Sequence, residues 1–202
     1  MKNFGTCYRE TSAKFSNEVI VIAELNGILP AVREMKDFEK LLDSNHDYII
    51  FLESRLSQIK SLVSYAKRSN KKVLVHADLI QGLKTDEYGI EFIFREIKPD
   101  GIISTRGNVI SLAKQHHILA IQRMFAVDSH ALENTIHIVN RVKPDYIEIM
   151  PGIVPTLITE IYERTQIPII AGGLIRTSED VHLAYGAGAK AISTSDNELW
   201  GL

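Results

Sequence analysis

Eight short apolar runs recur along this chain of 202 residues, and they constrain its fold more than any other feature. They fall at 28–32, 48–52, 72–75, 101–103, 119–122, 146–150, 167–171 and 191–194. Each is rich in Ile and Val and nearly continuous, as strands buried on both faces are. Longer amphipathic stretches separate them. Residues 56–69 place Leu56, Ile59, Leu62, Val63 and Ala66 at a helical period, and 88–97 and 131–142 read the same way. Strand–helix alternation of this kind predicts one parallel (β/α)8 TIM-type barrel over 24–202. It must be compact, because such barrels usually run to about 250 residues.

Local punctuation agrees. Asp128 offers an N-cap before the helix at 131–142, and Thr177 with Asp180 three residues on makes a capping box. Residues 97–103 and 142–148 both end a helix, turn on Lys-Pro-Asp (Lys98 to Asp100, Lys143 to Asp145) and enter a strand. Proline stops each helix there. Asp196 to Trp200 leaves room for about one turn, so the last helix is stunted. Residues 1–23 break the pattern and read as an extension. Their apolar piece, 19–23, is compatible with a strand, a barrel plug or a dimer contact.

The bulk properties exclude several classes. With 23 Lys and Arg against 25 Asp and Glu, no global charge draws the chain to nucleic acid. The one cysteine, Cys7, cannot form an internal disulfide. No apolar run approaches a membrane span, and no signal-peptide pattern opens the chain. A soluble cytosolic protein is the expectation.

Working residues of a parallel barrel sit at the C-terminal ends of its strands. The seventh run ends in Gly172 and Gly173, the eighth in Ser193, Thr194 and Ser195. Phosphate sites of barrels are built from these two loops. Glycines let backbone N–H groups approach the anion, hydroxyls add donors, and a stunted last helix would aim its positive end there. Around the rest of the ring stand His76 and Asp78 after the third run, Arg106 after the fourth, Arg123 after the fifth and Glu148 in the sixth. By period two His76 and Asp78 face the lumen or rim, and Glu148 points away from Ile147 and Ile149. An inward carboxylate needs a partner, and Arg123 or His76 could be it. His116, His117 and His182 fall on helices. No set of residues has the spacing of a metal site.

Five blocks carry a family resemblance: residues 75–83 (VHADLIQGL), 98–105 (KPDGIIST), 121–129 (IQRMFAVDS), 148–155 (EIMPGIVP) and 168–175 (PIIAGGLI). They resemble the glycerol-3-phosphate-responsive antiterminators of glycerol uptake operons, in register from about residue 28 to 200. The resemblance implies a barrel related in fold to phosphosugar enzymes. It implies that the effector is glycerol 3-phosphate and that the protein acts on leader mRNA so that transcription passes a terminator. The phosphate would take Gly172, Gly173 and Ser193 to Ser195, and the hydroxyls would reach His76, Asp78 or Glu148. The densest basic cluster, Lys67, Arg68, Lys71 and Lys72, is then a candidate RNA contact on the opposite face. Residues 81–88 are a candidate closing loop, and a homodimer is the default assembly. The competing expectation is an enzyme acting on a phosphorylated triose or glycerol compound. His76, Asp78 and Glu148 would then do acid–base work. No lysine stands at a strand end to form a Schiff base, which favours a regulator without a cofactor.

Overall fold

The structure is a computed structural model and describes residues 24–202. The extension expected at 1–23 lies outside the described residues. Eight parallel strands close into a barrel. They are β1 Gly27–Val32, β2 Tyr48–Phe51, β3 Lys72–His76, β4 Gly101–Ser104, β5 Leu119–Phe125, β6 Tyr146–Met150, β7 Ile169–Gly172 and β8 Ala191–Thr194. Each pairs with its neighbours in sequence, and β8 closes on β1 through Gly27 opposite Ala191.

The outer layer holds α1 Met35–Leu42, α2 Leu56–Arg68, α3 Glu87–Phe92, α4 Gly107–Gln115, α5 Ser129–Val142, α6 Pro155–Thr165 and α7 Ser178–Gly186. The helix expected over 88–97 is shorter as an α-helix. After Phe92 it widens into a π-helical turn, Ile93–Ile97, that ends on the Lys98 N–H donating to the Ile93 carbonyl at 2.8 Å. The last helix is a 3-10 turn, Asn197–Gly201.

Two separate cores explain why the strand runs are apolar throughout. Ile49, Val73, Val75, Ile102, Ile147 and Ile169 face outward and pack under the helices. Leu29, Ile50, Leu74, Ile121 and Ile170 face inward and fill the lumen. Fully burying one such side chain stabilises by roughly 1.5–3 kcal/mol. Tyr146 lies near the entry end of the lumen, where its hydroxyl accepts from the Leu25 N–H at 2.8 Å.

The caps form as the sequence predicts. Asp128 accepts from Ala131 N–H at 2.7 Å, and Thr177 and Asp180 make both halves of their capping box. Above β2 and β3, Ser54–Arg55 pairs with Ile80–Gln81 in a two-residue ladder. The ladder fixes one side of the mouth and holds the start of the loop at 81–88. No helix among the described residues is long and apolar enough to cross a membrane.

Candidate functional site

A cavity of about 460 Å³ opens at the C-terminal end of the barrel. Its walls come from the loops after β7 and β8 (Gly173, Leu174, Ile175, Arg176; Ser193, Thr194, Ser195, Asp196) and from Ala31, Arg33, Leu52, Leu79, Arg123 and Met150. Five of the residues expected from sequence therefore line it: Gly173, Ser193, Thr194, Ser195 and Arg123.

The glycine pair has a steric cause. A Cβ on Gly172 would stand 2.3 Å from Ser193 Oγ and 3.1 Å from Glu148 Oε1. Gly173 has φ +74°, the left-handed region that glycine tolerates best. Its carbonyl and that of Gly172 both accept from the Gly152 N–H, at 3.2 and 2.6 Å, which ties the β6 and β7 loops together. The Thr194 hydroxyl accepts from the Asp196 N–H at 3.1 Å and keeps its own proton for another acceptor.

The floor is a buried ion pair. Register places Arg123 on β5 opposite Glu148 on β6. Arg123 Nε donates to Glu148 Oε2 at 2.6 Å, and Ser193 Oγ donates to Oε1 at 2.6 Å. Both oxygens of this carboxylate are thus engaged, and Arg123 is the partner chosen from the two that the sequence offered. Arg123 and Ser193 meet the cavity, while Gly172 and Glu148 lie beneath it.

His76 ends β3 inside the barrel, 2% exposed, and neither ring nitrogen has a hydrogen-bond partner among the described residues. Burial, and after it the Arg123 guanidinium, push its imidazole down from 6.5 to about 4, against the opposing pull of Glu148 and Asp78. The ring is therefore neutral at pH 7. A neutral imidazole carries one donor and one acceptor.

Two expected residues stand elsewhere. The strand stops at His76, so Asp78 falls on a 3-10 turn, Ala77–Leu79, at the rim. There it accepts from Ser104 Oγ (2.8 Å), Thr105 N–H (2.7 Å) and Thr105 Oγ1 (3.0 Å), and pairs with Arg106 at 3.6 Å. Asp78 and Arg106 thus bind the β3 and β4 loops to each other and do not line the cavity. At the stunted last helix the Glu198 N–H donates to Asp196 Oδ1 at 3.1 Å, so one amide of its first turn is capped within the chain.

Sequence reasoning missed Arg33 and Arg176, both exposed at the mouth. The signal was present: Arg33 follows the first apolar run as Arg106 follows the fourth, and Arg176 closes the Gly-Gly loop. Among the described residues no cluster of His, Cys, Asp or Glu could hold a metal ion.

The basic cluster at 67–72 divides. Lys71 is 9% exposed and donates to the carbonyls of Ser44 and His46, so it is a buried tie between turns and cannot reach RNA as expected. Lys67 pairs with Asp100 at 3.1 Å, Arg68 lies over the Tyr65 ring and Lys72 over the Tyr48 ring.

An eight-stranded parallel barrel with a cavity at its C-terminal mouth, its wall carrying three arginines and three hydroxyl residues, is the class that this geometry defines. Within that class, residues 28–200 match the model of the glycerol-3-phosphate responsive antiterminators, and the chain belongs to that family. It is similar to the glycerol uptake operon antiterminator regulatory protein of Listeria monocytogenes str. 4b F2365. The two are 47% identical over 94% of this chain and 98% of that one, with a TM-score of 0.85. A glycerol uptake operon antiterminator-related protein of Thermotoga maritima MSB8 is 30% identical, covers 88% of this chain and 99% of its own, and has a TM-score of 0.78. YgcP of Escherichia coli K12 is 33% identical over 88% of this chain and 93% of its own. An aldolase at 15% identity and TM-score 0.66 shares the fold alone.

Proposed function

We propose that the protein senses glycerol 3-phosphate and, in its ligand-bound state, engages the leader mRNA of glycerol-metabolism genes so that transcription continues past a terminator. The mouth cavity is the observation that carries this reading. Its volume suits a small phosphorylated polyol. Ser193, Thr194, Ser195, Gly173, Arg33 and Arg176 are among the residues that line the cavity, and they offer the donors that a phosphate needs. These groups take the phosphate. The glycerol hydroxyls then reach toward Arg123 and the floor beneath it, where Glu148 and His76 lie. Likeness to proteins named as glycerol uptake operon antiterminators supports both the effector and the regulatory role.

A ligand shifts an equilibrium only by binding one state better than another. The two floor groups that a phosphate or hydroxyl would attract, Arg123 and Ser193, are held by Glu148. A ligand that competes for them changes contacts on β5, β6 and β8 at once. The enzyme alternative is less well supported. Both oxygens of Glu148 are engaged, and Asp78 is spent on Ser104, Thr105 and Arg106.

Isothermal titration calorimetry with glycerol 3-phosphate, using glycerol and inorganic phosphate as controls, tests the reading. Saturable binding that needs the intact ligand and is lost in Gly173→Asp is expected. Absence of binding, or steady turnover of a phosphorylated triose by the purified protein, would overturn it.

A further inference from the structure

The two Lys-Pro-Asp turns are built alike. Asp100 accepts from the Val73 N–H at 2.8 Å and donates its own N–H to the Val73 carbonyl at 2.8 Å. Asp145 does the same with Ala120, at 2.9 and 2.8 Å. Each aspartate thereby ties the start of its strand to the start of the strand before it. The lysine two residues earlier has no such task. Lys98 and Lys143 sit at φ 54° and 49°, in the left-handed region, and both are exposed. Neither has a carboxylate within 4 Å among the described residues.

Helices that end in the left-handed conformation usually place Gly or Asn there. Another side chain is strained there. A cation near the negative end of the helix offsets most of that strain. Stability is therefore nearly indifferent to these lysines, and folding does not explain why the same residue stands at both places.

Their position does suggest a reason. Strands β3, β4, β5 and β6 are consecutive in the barrel, so the turns leading into them form one crescent at the N-terminal end. Residues 67–72, 98–100, 114–118 and 141–145 carry eight Lys and Arg against two carboxylates, in a chain of net charge −2. Both carboxylates, Asp100 and Asp145, are turned to strand amides and to Lys67 and Lys114. Arg68, Lys72, Lys98, Arg141 and Lys143 remain exposed. The rim of the cavity is mixed: exposed Glu34, Glu53, Asp86, Glu87 and Asp128 are interspersed there with exposed Arg33, Lys36, Arg55, Lys84, Arg106 and Arg176.

We infer that this crescent, centred on Lys98 and Lys143, receives the RNA phosphodiester backbone, at the end of the barrel opposite the effector cavity. The inference rests on the RNA role proposed above. RNA affinity draws heavily on Lys and Arg contacts to phosphate. The starts of β4 and β6 are two strand spacings apart, about 10 Å, so the two lysines contact separate phosphates. Effector and RNA then do not compete, and their coupling runs through the barrel.

The test compares Lys98→Gly with Lys143→Gly in one chain, and the matching pair of Gln substitutions, with the unaltered protein. Binding to the leader transcript of the glycerol operon of its own organism is followed by fluorescence anisotropy across salt concentrations, with glycerol 3-phosphate present. Both double variants should bind on the order of tenfold more weakly, with a salt slope reduced by about 1.4 for two lost contacts on single-stranded RNA. The effector titration of both should match the unaltered protein; the melting temperature of the Gly pair should match it and that of the Gln pair should lie at most a few degrees below. Lys36→Gln at the cavity end should bind RNA normally. If the unaltered protein binds the transcript and both doubles bind equally well, the crescent is not the RNA surface, while the regulatory reading stands. If the unaltered protein does not bind the transcript, the regulatory reading fails and the inference with it.

Discussion

Replacing Glu148 by leucine probes the ion pair on which the floor of the cavity depends. The carboxylate is 1% exposed and Arg123 is 7% exposed, and Glu148 accepts from Arg123 Nε and Ser193 Oγ at 2.6 Å each. Removing the carboxylate leaves a buried guanidinium without a counter-charge and a buried hydroxyl without an acceptor. Breaking a buried pair from one side costs about 3–5 kcal/mol, and an unsatisfied hydroxyl adds about 1 kcal/mol or more. Arg123→Met leaves the carboxylate equally stranded and carries a similar cost. The double variant Arg123→Met with Glu148→Leu removes both charges and keeps most of the volume. It should therefore recover most of the loss and lie within about 2 kcal/mol of the parent. Urea unfolding of the four proteins at pH 7 gives the coupling energy, expected at about 5 kcal/mol or more from these costs. Single variants that each lose under about 1 kcal/mol, or a double whose loss is the sum of the two, would refute the reasoning. The double variant should also give no heat with glycerol 3-phosphate, because Arg123 lines the cavity.

Other expectations follow from the same contacts. The folded-state imidazole of His76 lies at about 4, below its unfolded value of 6.5, so the unfolded chain binds more protons between those pH values. Its contribution to stability is complete above pH 6.5 and is lost as pH falls toward 4, about 2 kcal/mol between pH 7 and pH 5. His76→Leu should remove that slope in denaturant titrations at the two pH values and leave stability at pH 7 unchanged or higher, since two unpartnered ring nitrogens disappear. A slope that persists in the variant refutes the assignment. Gly173→Ala puts a side chain at φ +74° with its Cβ 2.7 Å from Met150 Cε. It should cost about 1 kcal/mol in unfolding experiments and weaken effector binding; calorimetry that matches the parent would contradict this. Lys71→Ala should cost roughly 1–3 kcal/mol in urea while leaving RNA affinity intact, because its ammonium serves the Ser44 and His46 carbonyls. Weakened RNA binding without lost stability would reverse that reading.

The amino-acid sequence by itself determined the barrel. Strands buried on two faces are apolar at most positions, and helices over them are apolar on one face, so β/α alternation is written in the pattern of apolar residues. It also determined the direction of single side chains within strands. Period two turned His76 and Glu148 inward and Ile147 and Ile149 outward, and they stand so. What only the tertiary structure decided was which side chains meet across strands and where a strand stops. Register set Arg123, not His76, opposite Glu148. The end of β3 at His76 decided between lumen and rim for Asp78, which stands on the rim and is bound to Ser104 and Thr105. The curl of one turn buried Lys71 and left Lys98 and Lys143, each isolated in the sequence, on one crescent with Lys72. Local pattern fixes a side chain's face because the backbone repeat is local. A partner, or the sharing of a surface, depends on residues tens of positions away, and only closing the barrel brings them together.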